Sequence, residues 1–384
     1  MLDAKAIPLV VLQVTPSLDA GGSERTTLDV ARAVTAAGGK ALIATAGGRL
    51  VGEAQRAGAR VITGPYDSKS PLTVWRNAAR LVDIVGTEHV AIVHARSRAP
   101  AWSALWAARR AGIPFVTTYH GIYKAGNALK RAYNGVMATG DVVIANSQYT
   151  AAHVSAEHKI DPSKLVTIPR GIDIEAFTPS HVTTERVAKL RQQWNLSTDA
   201  PVILLPGRLT RLKGHTIFLE ALAKLPHRRF LAVLAGGGEE RGRYVEELKQ
   251  LADHLGLAAN MRMPGHVSDM PAAYMLADVV VSPSIVPESF GRTPVEAQAM
   301  GRPVIATALG GQLETVEDPL TGFLVPAFDA AALASAIERA LALDKNARDA
   351  MAFLGRTRVL ERYTVDAMCA ATLEVYEKLL ARHG

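Results

Sequence analysis

The chain has almost no cysteine: Cys369 is the only one in 384 residues. A single thiol makes no internal disulfide and no thiolate cage for zinc, and a reducing compartment suits it. No apolar run approaches the roughly 18 residues of a membrane-spanning helix. The N-terminal stretch MLDAKAIPLVVLQVTPS has only a short apolar run before it turns polar. It is unlike a signal peptide, so the cytoplasm is the expected location. Asp-x-Asp, the usual holder of a divalent ion beside a diphosphate, is absent, as are G-x-G-x-x-G and a Walker sequence. NAD and ATP readings therefore have little support, and neither cofactor nor metal is expected. Internal repeats, low-complexity tracts and long charge blocks are missing too.

What is present is ordinary globular material, 48% apolar and 21% charged, in a chain long enough for two domains of roughly 180 residues. Charge is unevenly spread. Through Ser180 there are 20 Lys and Arg against 13 Asp and Glu, and the remainder carries 23 of each. An excess confined to the first half points to an anionic partner there, or to a scattered basic surface.

Short apolar, β-branched runs alternate with alanine-rich stretches of helical spacing: PLVVLQV (8–14), KALIAT (40–45), ARVIT (59–63), HVAIVH (89–94), PFVTTY (114–119) and DVVIAN (141–146). After a polar bridge from about Asp173 to Ala200 the pattern resumes with PVILLPG (201–207), FLAVLAGGG (230–238), NMRMPG (260–265), DVVVSPS (278–284) and RPVIAT (302–307). Such runs are parallel strands covered on both faces by crossover helices. The predicted fold is α/β: two doubly wound parallel-sheet domains, 1–180 and 181–364, facing a cleft. A last helix near 366–382 presents Met368, Leu373, Val375, Tyr376 and Leu379 on a broad apolar face.

Ligands of open α/β sheets sit beyond the carboxyl ends of the strands. In PGRLTRLKGH, Arg208 and Lys213 follow a strand between Gly207 and Gly214, a pairing suited to a diphosphate or to a solvated basic turn. In DAGGSE, Gly21 and Gly22 precede a helix that Ser23 is expected to cap from about Glu24; paired glycines there let an anion reach backbone amides. In ESFGRTPVE, Thr293, Pro294 and Glu296 read as a capping box on a short helix. Glu288 has no such role. With the amides of Ser289, Phe290 and Gly291 it forms a polar edge suited to sugar hydroxyls or phosphate. His94 and His120, at strand ends, each read as satisfied structural histidines.

The blocks ESFGRTPVEAQAMGRPVIAT, GRLTRLKG, DAGGSE, TTYHG, ANSQYT and IPRGIDIEAF occur in an order that resembles glycosyltransferase family 4, retaining enzymes of the GT-B fold, over nearly the whole chain. The resemblance implies that Glu296 binds donor ribose, Arg208 and Lys213 the diphosphate, and Glu288 the donor sugar. Gly237 and Val267 join the donor site, the latter near the base. Gly21, Gly22, His120 and Lys124 face the acceptor, Gly22 also touching phosphate. His120, Glu288, Arg208 and Lys213 are the implied catalytic set, and His120 changes from a structural to a functional reading. The last helix, 365–384, is implied to cross back to the first domain. Arg170 stands where many members have asparagine, a departure placed in the linker rather than in the chemistry.

The implied reaction moves a sugar, mannose or glucose, from a nucleotide diphosphate sugar to an acceptor hydroxyl with retention and without a metal. The acceptor is expected to be an anionic glycolipid or saccharide, with lipopolysaccharide core suggested by a subgroup of the family. A nucleotide-sugar epimerase or hydrolase on the same fold is the alternative, and a two-lobed binding protein a further one. A nucleic-acid partner is not expected, because no recognition motif accompanies the basic half. AWSALWAARR (101–110) and YKAGNALKRAY (123–133) interleave Trp102, Trp106, Tyr123 and Tyr133 with Arg109, Arg110, Lys124, Lys130 and Arg131. That mixture suits peripheral contact with the inner face of a membrane; the tryptophans equally suit the core of a crossover helix.

Overall fold

A computed structural model describes residues 9–19, 21–123, 125–197, 200–237 and 242–383. The chain forms two compact units, Met1–Gly171 with Val365–Gly384, and Ile172–Thr364. In unit 1 the strands are β1 (Val10–Val14), β2 (Lys40–Thr45), β3 (Arg60–Thr63), β4 (Ile92–Ala95), β5 (Phe115–Tyr119), β6 (Val142–Ala145) and β7 (Leu165–Thr167). In unit 2 they are β8 (Val202–Pro206), β9 (Leu231–Ala235), β10 (Met261–Gly265), β11 (Val279–Ser282), β12 (Val304–Thr307) and β13 (Phe323–Val325). Both sheets are parallel throughout.

Sheet order is β3-β2-β1-β4-β5-β6-β7 in unit 1 and β10-β9-β8-β11-β12-β13 in unit 2. Each order reverses once, between β1 and β4 and between β8 and β11, which is where a crevice opens at the strand ends. The central strands are apolar on both faces because both faces are covered. Leu12, Val14 and Val93 lie in one core layer of unit 1, and Val11, Ile43 and Ile92 in the layer opposite.

The helix Val365–His383 completes that second layer: Met368, Cys369, Val375, Tyr376 and Leu379 pack with Leu28, Val116 and Ile144. Its apolar face is thus buried within the unit that begins the chain. Among the described residues no helix is long and apolar enough to cross a membrane.

The segment expected to be a polar bridge is instead part of unit 2. Thr184–Gln193 is a helix. It brings Leu190, Trp194 and Leu196 into a core with Tyr274 and Leu276, and Arg186 makes a two-bond pair with Asp269 at 2.6 and 2.9 Å. A helix with one narrow apolar stripe has a polar average, which hid it in the sequence. The division between units falls at Gly171, before the expected 180.

Candidate active site

The switch point of unit 2 gathers the loop after β8 and the loop after β11. Gly207, at φ 143°, turns the chain, and a short 3₁₀ turn, Arg211–Lys213, ends at Gly214 with φ 72°. Gly214 has to be glycine, since a Cβ there would lie 1.8 Å from the Pro283 carbonyl oxygen. This close approach lays one loop on the other, fastened by the Ile285 amide donating to the Leu212 carbonyl at 3.0 Å.

Lys213 then reaches Glu288: its Nζ donates to Oε1 at 2.6 Å, and Ser284 Oγ donates to the same oxygen at 2.6 Å. Burial pushes the Glu288 carboxyl up. The charge and hydrogen bond of Lys213, the Ser284 hydroxyl and the charge of Arg208 together outweigh it and hold the pKa below the usual carboxylate range. Glu288 is therefore an anion at neutral pH. Its backbone is held as well, bridging to Gly310 and accepting from the Gly311 amide at 2.8 Å. Behind it Thr307 donates to the Ser284 carbonyl at 2.7 Å, and Gln312 donates to Ser282 Oγ at 2.6 Å. Arg208 is exposed beside this pair. Two cations and a carboxylate with hydroxyl partners can grip a diphosphate and a polyhydroxylated sugar.

Glu296 stands apart. The helix Arg292–Ala299 is capped by Gly291 at φ 88°, with no side-chain cap, so the expected box of Thr293 and Glu296 does not form. Glu296 instead accepts from Tyr274 OH at 2.8 Å and from Arg292 Nη2 at 2.8 Å. Tyr274 and Arg292, like Ser284, carry no motif signal of their own. Phe290 is a core residue: its ring is buried against Tyr363, 5.5 Å between centroids, which leaves its backbone as the part that faces ligand chemistry. Ser289 and Gly291 lie on the same segment. Gly237 accepts from the Leu209 amide at 3.2 Å, next to Arg208. Val267 follows β10, its side chain partly buried against the core.

In unit 1 the helix Gly22–Ala36 is capped by Gly21, not by Ser23, whose hydroxyl donates to Glu24 Oε2 at 2.7 Å. The Glu24 carboxylate curls over Gly21, where an added Cβ would meet its Oε2 at 2.2 Å. The Glu24 carboxylate thus lies beside the helix start. Arg96, buried after β4, donates through Nε to Gln13 Oε1 at 2.8 Å. His94 is fully buried between Tyr376 OH at 2.6 Å and Thr118 Oγ1 at 2.7 Å, a structural role. His120 follows β5. Burial first, then Arg170 and Arg96, pull its pKa well below the ordinary histidine value, so its imidazole is neutral. Lys124 lies outside the described residues.

Arg170 corrects one expectation. It does not merely sit in a linker: its Nη2 donates to the His120 carbonyl at 2.9 Å. The crossover-helix tryptophans divide, Trp102 being partly buried on the unit 1 core and Trp106 45% exposed.

Two doubly wound parallel sheets, one with a cation and carboxylate pair over its switch point, are the architecture of GT-B glycosyltransferases. The chain belongs to the glycosyltransferases of that fold: residues 20–176 match Glycosyltransferase Family 4, and residues 187–356 match Glycosyl transferases group 1. It is 33% identical over 292 residues to a D-inositol 3-phosphate glycosyltransferase of Xylanimonas cellulosilytica, covering 72% of this chain and 69% of that one. The crystal structure of a glycosyltransferase from Rickettsia africae is 36% identical with a TM-score of 0.91, covering 97% of this chain and 99% of that one. Anabaena Alr3699/HepE in complex with UDP-glucose is 25% identical with a TM-score of 0.82, over 96% and 100% of the two chains. The protein therefore transfers a sugar from a nucleotide sugar.

Proposed function

We propose that the enzyme is a retaining, metal-independent hexosyltransferase that moves glucose or mannose from a nucleotide diphosphate sugar to a hydroxyl of an anionic saccharide or glycolipid. The carrying observation is the Lys213–Glu288 pair at the β8/β11 switch point, flanked by Arg208. On this reading Arg208 and Lys213 face the leaving diphosphate, where a metal would otherwise neutralise charge. Glu288 accepts from sugar hydroxyls, Glu296 from the ribose, the Ser289 to Gly291 amides and Gly237 face phosphate, and Val267 lies by the base. Gly21, Gly22, His120 and Lys124 take the acceptor side. Catalysis rests on positioning and on stabilising the departing diphosphate.

Lipopolysaccharide core is one acceptor of this kind; the Xylanimonas relative carries inositol 3-phosphate in its name. UDP-glucose, bound by the Anabaena protein, is the donor to test first, alongside GDP-mannose. The experiment is product analysis by NMR with each donor and an acceptor panel, with and without chelator. An α-linked product from an α-linked donor, made at equal rate in chelator, is expected. Inversion, or activity restored only by added magnesium or manganese, overturns the corresponding part. Donor turnover that needs no acceptor selects the epimerase or hydrolase alternative.

Peripheral membrane contact has a specific feature behind it. Trp102, Leu129, Lys130 and Tyr133 line a largely apolar groove of about 540 Å³, with Leu129 83% exposed. Arg109 pairs with Asp141 and Arg131 with Glu157, so among the described residues Lys130 is the cation lining the groove that is offered to anionic headgroups. Co-sedimentation with anionic vesicles, weakening with salt, is expected. Equal binding to neutral vesicles, or none at low salt, removes the membrane contact.

A further inference from the structure

His215 is a fully buried titratable residue of unit 2 to which the proposed chemistry gives no task. It opens the helix His215–Lys224, immediately after the left-handed turn at Gly214. Its Nδ1 lies 3.2 Å from the Thr210 carbonyl oxygen. A carbonyl only accepts, so the proton sits on Nδ1 and Nε2 carries the lone pair. Nε2 is buried and finds no hydrogen-bond partner among the described residues. A buried acceptor left unsatisfied is destabilising, and an apolar side chain would fill the same space without one. The imidazole at this position therefore points to its single bond, the one to Thr210.

That carbonyl has a second donor, the Lys213 amide at 3.0 Å. His215 and Lys213 thus share one oxygen, which has a lone pair for each. The bond from Lys213 closes the turn Arg211–Lys213, and the bond from His215 ties the same turn to the core. The His215 ring stands edge-on to Tyr244, 6.0 Å between centroids at 76°, and Tyr244 packs in the layer of Leu209 and Phe218. The Arg211 guanidinium lies 4.9 Å from the centre of that Tyr244 ring and pairs with Glu247, both on the helix Arg243–His254. The turn is held at Thr210 by His215, at Arg211 by Tyr244 and Glu247, and at Leu212 by the Ile285 amide. Lys213, next in line, extends to Glu288. A lysine head on its flexible four-carbon stem is aimed only as well as its backbone is fixed, and a misplacement of about 1 Å can lower turnover about 100-fold. Burial keeps the His215 ring neutral at pH 7, so its one proton stays on Nδ1.

We infer that His215 is a positioning residue of the diphosphate site: by donating to the Thr210 carbonyl it fixes the turn from which Lys213 is aimed. The inference rests on the proposed role of Lys213 at the leaving diphosphate and adds to it a residue that touches no ligand itself.

Two variants separate this bond from packing. His215→Leu keeps apolar bulk and loses the donor; His215→Asn keeps an N–H near the Nδ1 position and loses most of the ring. Each is read in the full chain by thermal unfolding and by calorimetric titration with UDP against UMP and GDP against GMP. The ratio of diphosphate to monophosphate affinity reports the contact with the second phosphate. For the better-bound base the parent chain is expected to favour the diphosphate about tenfold or more, the scale of a charged hydrogen bond, and Lys213→Ala to remove most of that preference. His215→Leu should lower it about threefold or more at an unfolding temperature near the parent's, whereas His215→Asn should keep it in a less stable chain. Added to Lys213→Ala, His215→Leu should change the ratio by less than about twofold, because it acts through the residue already removed. A preference lost in Lys213→Ala but kept in His215→Leu overturns the inference alone. So does an equal loss in His215→Asn and His215→Leu, which marks packing as the cause, or a further threefold loss on the Lys213→Ala background. A parent chain without the preference, or one in which Lys213→Ala leaves it intact, defeats the diphosphate reading and the inference together.

Discussion

Units 1 and 2 are built on one plan and hold different chemistry at the same place in it. Both are parallel sheets whose order reverses once, and in both the polar residues collect beyond the strand ends. Unit 1 has 22 Lys and Arg against 14 Asp and Glu, whereas unit 2 has 21 against 22. At its switch point unit 1 buries Arg96 on Gln13 and sets Glu24 beside a helix start, bonded to Ser23. Unit 2 instead presses two glycine-bearing loops together and suspends Lys213 against Glu288. Backbone topology therefore decides where a ligand can sit, and the few side chains after each strand decide which ligand it is.

The sharpest test of that division is Lys213→Ala. It removes a cation from the proposed diphosphate site and strips Glu288 of its ion pair, so turnover should fall about 100-fold or more, the effect of losing one preorganised charge stabiliser. A loss of only a few-fold would take Lys213 out of the chemistry.

Acid should separate the units next. Burial brings the His215 pKa down to about 4, with the Thr210 carbonyl opposing and Lys213 assisting. A folded pKa below the unfolded one means the fold requires the neutral ring. The stability this confers is complete above about pH 6.5 and is lost as pH falls toward 4, roughly 3 kcal/mol in all. In unit 1 both His94 and His120 are shifted in the same direction, chiefly by burial. Hydrogen exchange along an acid series, read separately from peptides of each unit, should show unit 1 opening at higher pH. Loss at the same pH in both would contradict the comparison.

A subtler change is Glu296→Gln. It keeps an acceptor for Tyr274 and removes the charge opposite Arg292, so donor affinity should drop by about 1–3 kcal/mol with unit 1 untouched. Unchanged nucleotide affinity would leave Glu296 with only its contacts to Tyr274 and Arg292. The smallest effect is expected from Tyr376→Phe, which deletes the hydroxyl bonded to His94 and should lower unit 1 stability by about 1 kcal/mol. Denaturant unfolding resolved by unit checks it; a loss appearing in unit 2 would argue against the placement of the C-terminal helix.

Much of the fold was legible because buried parallel strands must be apolar on both faces, and runs such as KALIAT and DVVIAN satisfy that by themselves. β7 and β13 were not, being three residues each, too short to show a pattern. The caps at Ser23 and Thr293 were misplaced because a backbone turn at Gly21 or Gly291 can start the helix a residue or two earlier. Arg208, Lys213, Glu288 and Glu296 could be singled out as site candidates from glycines, strand ends and spacing. Which of them meet could not. Lys213 finds Glu288 across 75 residues, Tyr274 finds Glu296 across 22, and Arg170 finds His120 across 50. A residue's local pattern records its own environment, apolar or polar, strand or turn. Its partner is chosen by strand order, which only the packed sheet defines.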